Sequence, residues 1–321
     1  MPGAIKNLSG NHRRRSQFSA VRGVGRRGAA GRLARVMPWL PLLLLPVVAA
    51  IGSAGAAAWL RMLSVALSLL AGLKWLSWRQ ALRRGSSCGA LRSAAYLLAW
   101  PGMDARSFLD PASTARAPRA AEWLLAGGRS LAGVLLVWGL ARHALPNSRL
   151  LAGWIGIAGL LALFHFGLFQ LLSLAWRSVG IEAAPIMDRP LAARTLSEFW
   201  GRRWNLAFRQ VAFDSVFRPL LRPLGARPAL AAVFVFSAAV HELAVSLPAG
   251  GGYGLPSIYF LLQAAGMLAA RSLWGRRLGI DRGRVGRVFA WLMVAGFAPL
   301  LFHAPFMWRV IIPLLAAVGA I

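Results

Sequence analysis

The chain has 321 residues, 58% of them hydrophobic, with a mean hydropathy of +0.58, yet it carries 37 Lys and Arg against 9 Asp and Glu. A water-soluble core requires no such combination, so apolar mass and positive charge must be separated in space. The single cysteine, Cys88, excludes an internal disulfide and any multi-cysteine zinc or iron–sulfur centre, and no metal site is expected. The expected fold is therefore all-α: a polytopic integral membrane protein of about eight spans with interfacial amphipathic helices.

In chain order, residues 1–37 are rich in Gly, Arg and Ser without apolar periodicity, and read as a disordered basic cytoplasmic tail. The Arg13, Arg14, Arg15 run and the net charge of +28 are of the kind that attracts nucleic acid, but no recognition fold accompanies them; retention of Lys and Arg on the cytoplasmic side during insertion is the better account, and the tail is also suited to touch anionic lipid. Met37 is a second candidate start of translation. Residues 38–321 then read as one membrane domain, with apolar blocks at Pro38–Leu60, Met62–Trp78, Glu122–Leu145, Leu150–Trp176, Ala229–Pro248, Pro256–Ser272, Val288–Phe302 and Ala304–Ile321. The first block has a signal-peptide-like small-residue site at Ala54-Gly55-Ala56, but its length and basic leader predict a retained anchor. Lys74, near the end of the second block, is expected to snorkel to the interface.

Charge supports this division. With the N-terminus inside, 31 of the 37 Lys and Arg fall in residues 1–37, 79–121, 177–228 and 271–287, all on the cytoplasmic side, while the opposite connections hold only Arg61, Arg142 and Arg149. The expected location is a multi-pass integral protein of a bacterial plasma (inner) membrane. Neither an internal repeat nor a matched pair of broken helices points to alternating-access transport.

The motif-bearing part is 177–248. From Thr195 to Val211 the spacing predicts one amphipathic helix, with Leu196, Phe199, Trp200, Trp204, Ala207, Phe208 and Val211 on one face and Glu198, Arg202, Asn205 and Arg209 on the other. Thr195 and Glu198 form a capping-box signature, and Glu198 is expected to pair with Arg202 at i+4. Pattern alone is satisfied by a helix lying in the interface with its Trp residues at headgroup depth. In the next span, Ser237, His241 and Glu242 put polar groups inside an apolar helix, by default a functional site or a water-filled cavity. His241 and Glu242 point about 100° apart, whereas Ser237 shares the face of His241. An interhelical hydrogen bond from a neutral His241 satisfies the pattern as well.

The run Ser197-Glu198-Phe199-Trp200-Gly201-Arg202-Arg203-Trp204-Asn205, followed by His241-Glu242 within a span, resembles the wax synthase branch of the membrane-bound O-acyltransferases. The resemblance is strongest over 191–263, and Pro101-Gly102-Met103-Asp104 in the second basic connection is similar to that branch too. It implies acyl transfer from acyl-CoA, a co-substrate rather than a cofactor, to the hydroxyl of a lipophilic alcohol. His241 matches the family's catalytic histidine, and Asn205 its polar partner. A neutral His can act as general base toward an alcohol, and Asn205 would hold either the alcohol or the thioester carbonyl. Arg202, Arg203 and Arg209 are the expected landing points for the polyanionic CoA, with Trp200, Trp204, Ser237 and Glu242 as further substrate-binding residues. No Gly-x-Ser-x-Gly elbow is present and Cys88 lies apart from His241, so direct transfer without an acyl-enzyme is expected. The rival readings are a transporter or lipid-binding protein using the His241 cavity, and a non-catalytic relative.

This assignment sets a geometric condition. Counting residues puts Asn205 at the interface and His241 roughly 18 Å deeper. Joint action thus requires 195–228 to enter the bilayer, or the two to line opposite ends of one tunnel. Of the remaining polar groups, His165 is expected in an interhelical hydrogen bond, His303 in an interfacial loop, Arg309 snorkelling or near His303, and Ala249–Gly254 as a flexible external hairpin.

Overall fold

A run of apolar residues in a bilayer satisfies its backbone only by closing helical hydrogen bonds, and helix dominates the molecule. The computed structural model describes residues 36–86, 89–144, 146 and 148–321, and no strand occurs among them. The basic tail expected over 1–37 lies outside these residues except for Val36 and Met37, as does Cys88. Pro41–Ile321 forms one unit.

The main helices are α1 (Leu40–Gly52), α2 (Ala58–Arg83), α3 (Ala90–Ala99), α4 (Ala105–Leu109), α5 (Ala120–Ala144) and α6 (Arg149–Ser178). They continue as α7 (196–203), α8 (206–224), α9 (Ala226–Ala249), α10 (Leu255–Arg271), α11 (Leu273–Arg277), α12 (Gly283–Leu301) and α13 (Ala304–Ala317). Five of them, α2, α5, α6, α9 and α12, are long and apolar enough to cross a membrane.

The first expected span divides differently from the sequence reading. Its helix stops at Gly52, residues 53–57 turn, and α2 begins at Ala58, so Arg61 belongs to the first turns of α2 rather than to a connection. Hydropathy misses this break because the turn is made of small residues as apolar as the helices around it. Close approach elsewhere depends on glycine. A Cβ on Gly133 would stand 2.4 Å from the Leu163 backbone, which lets α5 and α6 pack at backbone distance.

Hydrogen bonds and ion pairs between the connections identify which of them lie together at one end of the bundle. Gln80 Nε2 donates to Ser215 Oγ at 2.8 Å, Arg177 pairs with Glu122 at 2.8 Å, and Trp176 Nε1 donates to the Ala99 carbonyl at 3.1 Å. The two basic connections expected on one side therefore do meet at one end, called here the basic end.

The last apolar block overturns an expectation. At its start, His303 lies against Ser246 and Gly252, and Arg309 Nη1 donates to the Ala249 and Gly250 carbonyls at 3.0 and 3.1 Å, all at the end opposite the basic one. At its finish, the Val318 and Gly319 carbonyls accept from Trp138 Nε1 and Arg142 Nη2, and these too belong to that opposite end. Thus α13 does not run from end to end as the eighth span. It lies across the bundle, burying Phe306, Met307, Val310, Ile311 and Leu315 against Ile157, Val245 and Ala249. Sequence hydropathy cannot distinguish these arrangements, since both require an apolar helix of this length.

Candidate functional site

The expected amphipathic helix is broken in two at Trp204–Asn205. Asn205 has φ +39° and ψ +60°, a left-handed conformation that Asn tolerates better than most residues. Its side-chain Oδ1 accepts from the Phe208 amide at 3.1 Å, capping α8. Residues 181–188 wrap the turn: Asp188 N–H donates to the Arg203 carbonyl at 2.9 Å and Leu206 N–H to that of Ile186 at 2.8 Å. The partition of faces survives the break, with Leu196, Phe199, Ala207 and Val211 buried and Arg202 and Arg209 exposed.

Thr195 Oγ1 accepts from the Glu198 amide at 3.1 Å, as the capping signature predicts. Glu198 pairs with Arg203 rather than with Arg202. The turn from Phe199 to Arg203 is π-helical, and widening it by one residue brings i+5 over Glu198 where i+4 was expected. First the Arg194 amide and then Arg203 hold the Glu198 carboxyl below the usual carboxylate range. Its contribution to stability is accordingly complete above the ordinary value of 4.5 and disappears as pH falls through the lowered one. In detergent, the difference in melting temperature between wild type and Glu198→Gln should stay constant from neutral pH down to the ordinary value of 4.5 and shrink below it.

Trp200 and Trp204 are half-buried among other aromatic rings. Trp204 stacks on Phe199 with centroids 5.4 Å apart, and Trp200 packs against Phe234 and Phe260 while its Nε1 donates to Gln263 Oε1 at 3.2 Å. α7 is thus wedged among α9, α10 and α12, in a cluster that includes Leu196, Phe234, Phe260 and Ala290. Phe260 also carries the ring of His241, 4.4 Å away. In parallel, Phe208 stacks on Phe236 of α9 at 5.5 Å. The motif segment therefore enters the bundle and reaches the helix of His241 by two aromatic contacts. No hydrogen bond joins Asn205 to His241 among the described residues.

His241 is half-buried, and its Nδ1 lies 2.7 Å from the carbonyl oxygen of Ser237, one turn earlier. A carbonyl only accepts, so Nδ1 carries the proton, and in the neutral ring Nε2 holds the free lone pair. Nε2 has no hydrogen-bond partner among the described residues. The hydroxyl of Ser237 turns back to the Val233 carbonyl at 3.0 Å, so it is the main chain of Ser237 that serves the histidine.

Glu242 diverges from His241 as helical geometry requires. Its Oε1 accepts from the Gly254 and Ser257 amides, both at 3.0 Å, and from Ser257 Oγ at 2.7 Å, holding the start of α10. His303 does lie in the connection between α12 and α13, but not on its surface: it is 2% exposed, with Nδ1 accepting from the Phe306 amide at 3.2 Å and Nε2 3.3 Å from Ser246 Oγ. Nor is the glycine turn a loose hairpin, since a Cβ on Gly252 would meet the His303 ring at 2.4 Å. The hydrogen bond expected of His165 is absent: its buried Nδ1 has no partner among the described residues.

A cleft of about 250 Å³, with no counterpart in the sequence pattern, opens at the basic end. It is walled by the end of α2, by Met103 and Asp104 with α4, and by α8, and Arg84, Arg106, Arg209 and Arg218 line it together with Asp104 and Asp214. Beneath it, Lys74 does not snorkel. It is 2% exposed, donates from Nζ to the Gly102 carbonyl at 2.6 Å and sits 3.1 Å from the centroid of the Tyr96 ring. α2 continues to Arg83, so Lys74 is too deep to reach water along its own helix. It fastens the Pro101–Asp104 segment instead. Lys74→Met leaves the Gly102 carbonyl unsatisfied and should cost about 1–3 kcal/mol, visible as a lower melting temperature together with faster tryptic cleavage after Arg106.

Residues 183–262, which hold α7, α8, His241 and Phe260, match the family described as "Membrane bound O-acyl transferase family". The resemblance read from the Phe-Trp-Gly-Arg-Arg-Trp-Asn run and the intramembrane histidine thus extends over the segment that builds this site. The chain is also similar to the wax-synthase-like branch: it is 29% identical over 101 residues to "Long-chain-alcohol O-fatty-acyltransferase" of Simmondsia chinensis. That match covers 27% of this chain and 29% of the relative, so the chain aligns with under a third of that protein's length.

Proposed function

We propose that the protein is an acyl-CoA-dependent O-acyltransferase that esterifies a lipophilic, long-chain alcohol, with His241 as general base. The observation that carries this is the bond between His241 Nδ1–H and the Ser237 carbonyl, which leaves the basic lone pair on Nε2 within the family-matched segment. Nε2 takes the proton of the alcohol as its oxygen attacks the thioester carbonyl carbon. The tetrahedral intermediate then collapses, the carbon–sulfur bond breaks, and Nε2–H returns the proton to the departing thiolate. The Ser237 carbonyl holds the ring and supports the imidazolium between these steps.

Asn205 fits one of its two expected roles better than the other. Its Oδ1 is already engaged in capping α8, while both Nδ2 hydrogens are left to act on substrate. They suit the developing oxyanion of the thioester carbonyl, because a donor cannot take the alcohol's proton. The protein would sit in a bacterial plasma membrane with the basic end and the N-terminus in the cytoplasm, where acyl-CoA is supplied.

The test is full-length protein in detergent with labelled palmitoyl-CoA and a panel of alcohols. Ester formed by wild type and lost in His241→Ala supports the reading; equal turnover by both removes His241 from the chemistry. Movement of substrate across vesicles without new ester would overturn it in favour of transport.

A further inference from the structure

The cleft at the basic end has an excess of positive charge that its own residues do not use. Asp214 receives Arg84 through both nitrogens, at 3.1 and 3.2 Å, and Arg218 at 3.3 Å, with Gln210 Nε2 at 3.0 Å. Asp104 is turned to Ser107, accepting from its amide at 3.2 Å and its hydroxyl at 2.8 Å. The side chains of Arg106 and Arg209 have no partner among the described residues, and both are exposed where they line the cleft. Four arginines against two aspartates leave two net positive charges around a hollow of about 250 Å³. The arrangement suits a small polyanion with more than one phosphate.

We propose that this cleft, and not the Arg202–Arg203 pair, holds the phosphates of the acyl-CoA donor, with Arg106 and Arg209 making the principal contacts. This rests on the acyl transfer reading above and locates its donor. Arg203 is engaged by Glu198 and by the Asp188 and Arg189 carbonyls, so it is not free to receive a ligand. Arg209 stands one turn beyond Asn205 on α8, so a donor anchored here by its phosphates is held by the same helix whose cap is proposed to bind the thioester carbonyl. The Pro101–Asp104 segment, fastened by Lys74, forms the opposite wall and thereby acquires a function.

The experiment compares palmitoyl-CoA with palmitoyl-pantetheine, which keeps the thioester but lacks the nucleotide and its phosphates. Wild type should prefer palmitoyl-CoA in kcat/KM, and Arg106→Ala and Arg209→Ala should each lower that preference by about tenfold. Arg106→Lys and Arg209→Lys, which keep charge, should retain part of it. Loss of both donors in equal proportion, or a wild type that transfers from both with equal kcat/KM, overturns the proposal while leaving acyl transfer standing. If wild type makes no ester from either donor, equilibrium binding of CoA decides the site by itself. Binding weakened about tenfold in the Arg106 and Arg209 variants supports it, and binding that is absent or unaltered overturns it. Adenosine 3′,5′-bisphosphate should compete with CoA; competition by an anionic phospholipid and not by the nucleotide would assign the cleft to a lipid headgroup instead.

Discussion

His241→Gln should lower the rate of ester formation by about 10²- to 10⁴-fold, the range typical of a lost general base. The loss should fall on kcat, with the KM for acyl-CoA little altered, because the arginine cleft lies at the end of the bundle and His241 is the last residue of a 16-residue helical stretch leading inward. Glutamine fills part of the space against Phe260 and limits the packing loss that alanine would cause. It supplies no titratable lone pair. Ser237→Ala retains the carbonyl that orients the ring, and should fall well short of His241→Gln, since the hydroxyl is turned to Val233. A His241→Gln enzyme within about threefold of wild type in kcat would remove the imidazole from the reaction.

Much of this architecture is legible in the chain because membrane crossing is written in length and charge. Apolar blocks and the uneven distribution of arginine located α2, α5, α6 and α9 to within a few residues, and the meeting of residues 79–121 with 177–228 at one end bears out their shared side. What stayed hidden depends on turns and directions rather than composition. The break at residues 53–57 is made of residues as apolar as their neighbours, and α13 needs the same hydropathy whether it crosses the bundle or lies over its end.

The site divides in the same way. Local spacing predicted that His241 and Glu242 diverge and that Thr195 starts a helix, and both hold. The unbroken helix through Asn205 failed because a left-handed residue leaves no trace in amphipathic spacing, although Asn is one of the few types that adopts it. The π-helical turn that exchanges Arg202 for Arg203 beside Glu198 is equally silent. The arginine cleft is assembled from three segments distant in sequence, and only the fold brings Arg84, Arg106 and Arg209 together.

Asn205 holds a turn and has a free donor, and substitutions can separate the two. Asn205→Ala loses the cap, at about 1 kcal/mol, and must place a Cβ-bearing residue without a local hydrogen bond at φ +39°, at roughly 1–2 kcal/mol more. Its inactivity alone would therefore be uninformative. Asn205→Asp keeps an oxygen for the Phe208 amide and tolerates the left-handed conformation, but replaces the Nδ2 donor with a negative oxygen facing the site of developing negative charge. This variant should melt close to wild type and lose about 10²- to 10³-fold in kcat, the scale of one missing oxyanion donor. Asn205→Gly satisfies the backbone at a cost of a few tenths of a kcal/mol for the cap and also lacks the donor, so it should be comparably slow. If the Asp and Gly variants instead work at nearly wild-type rates while Ala fails, Asn205 acts by shaping the entry to α8, and the oxyanion must be held by another group.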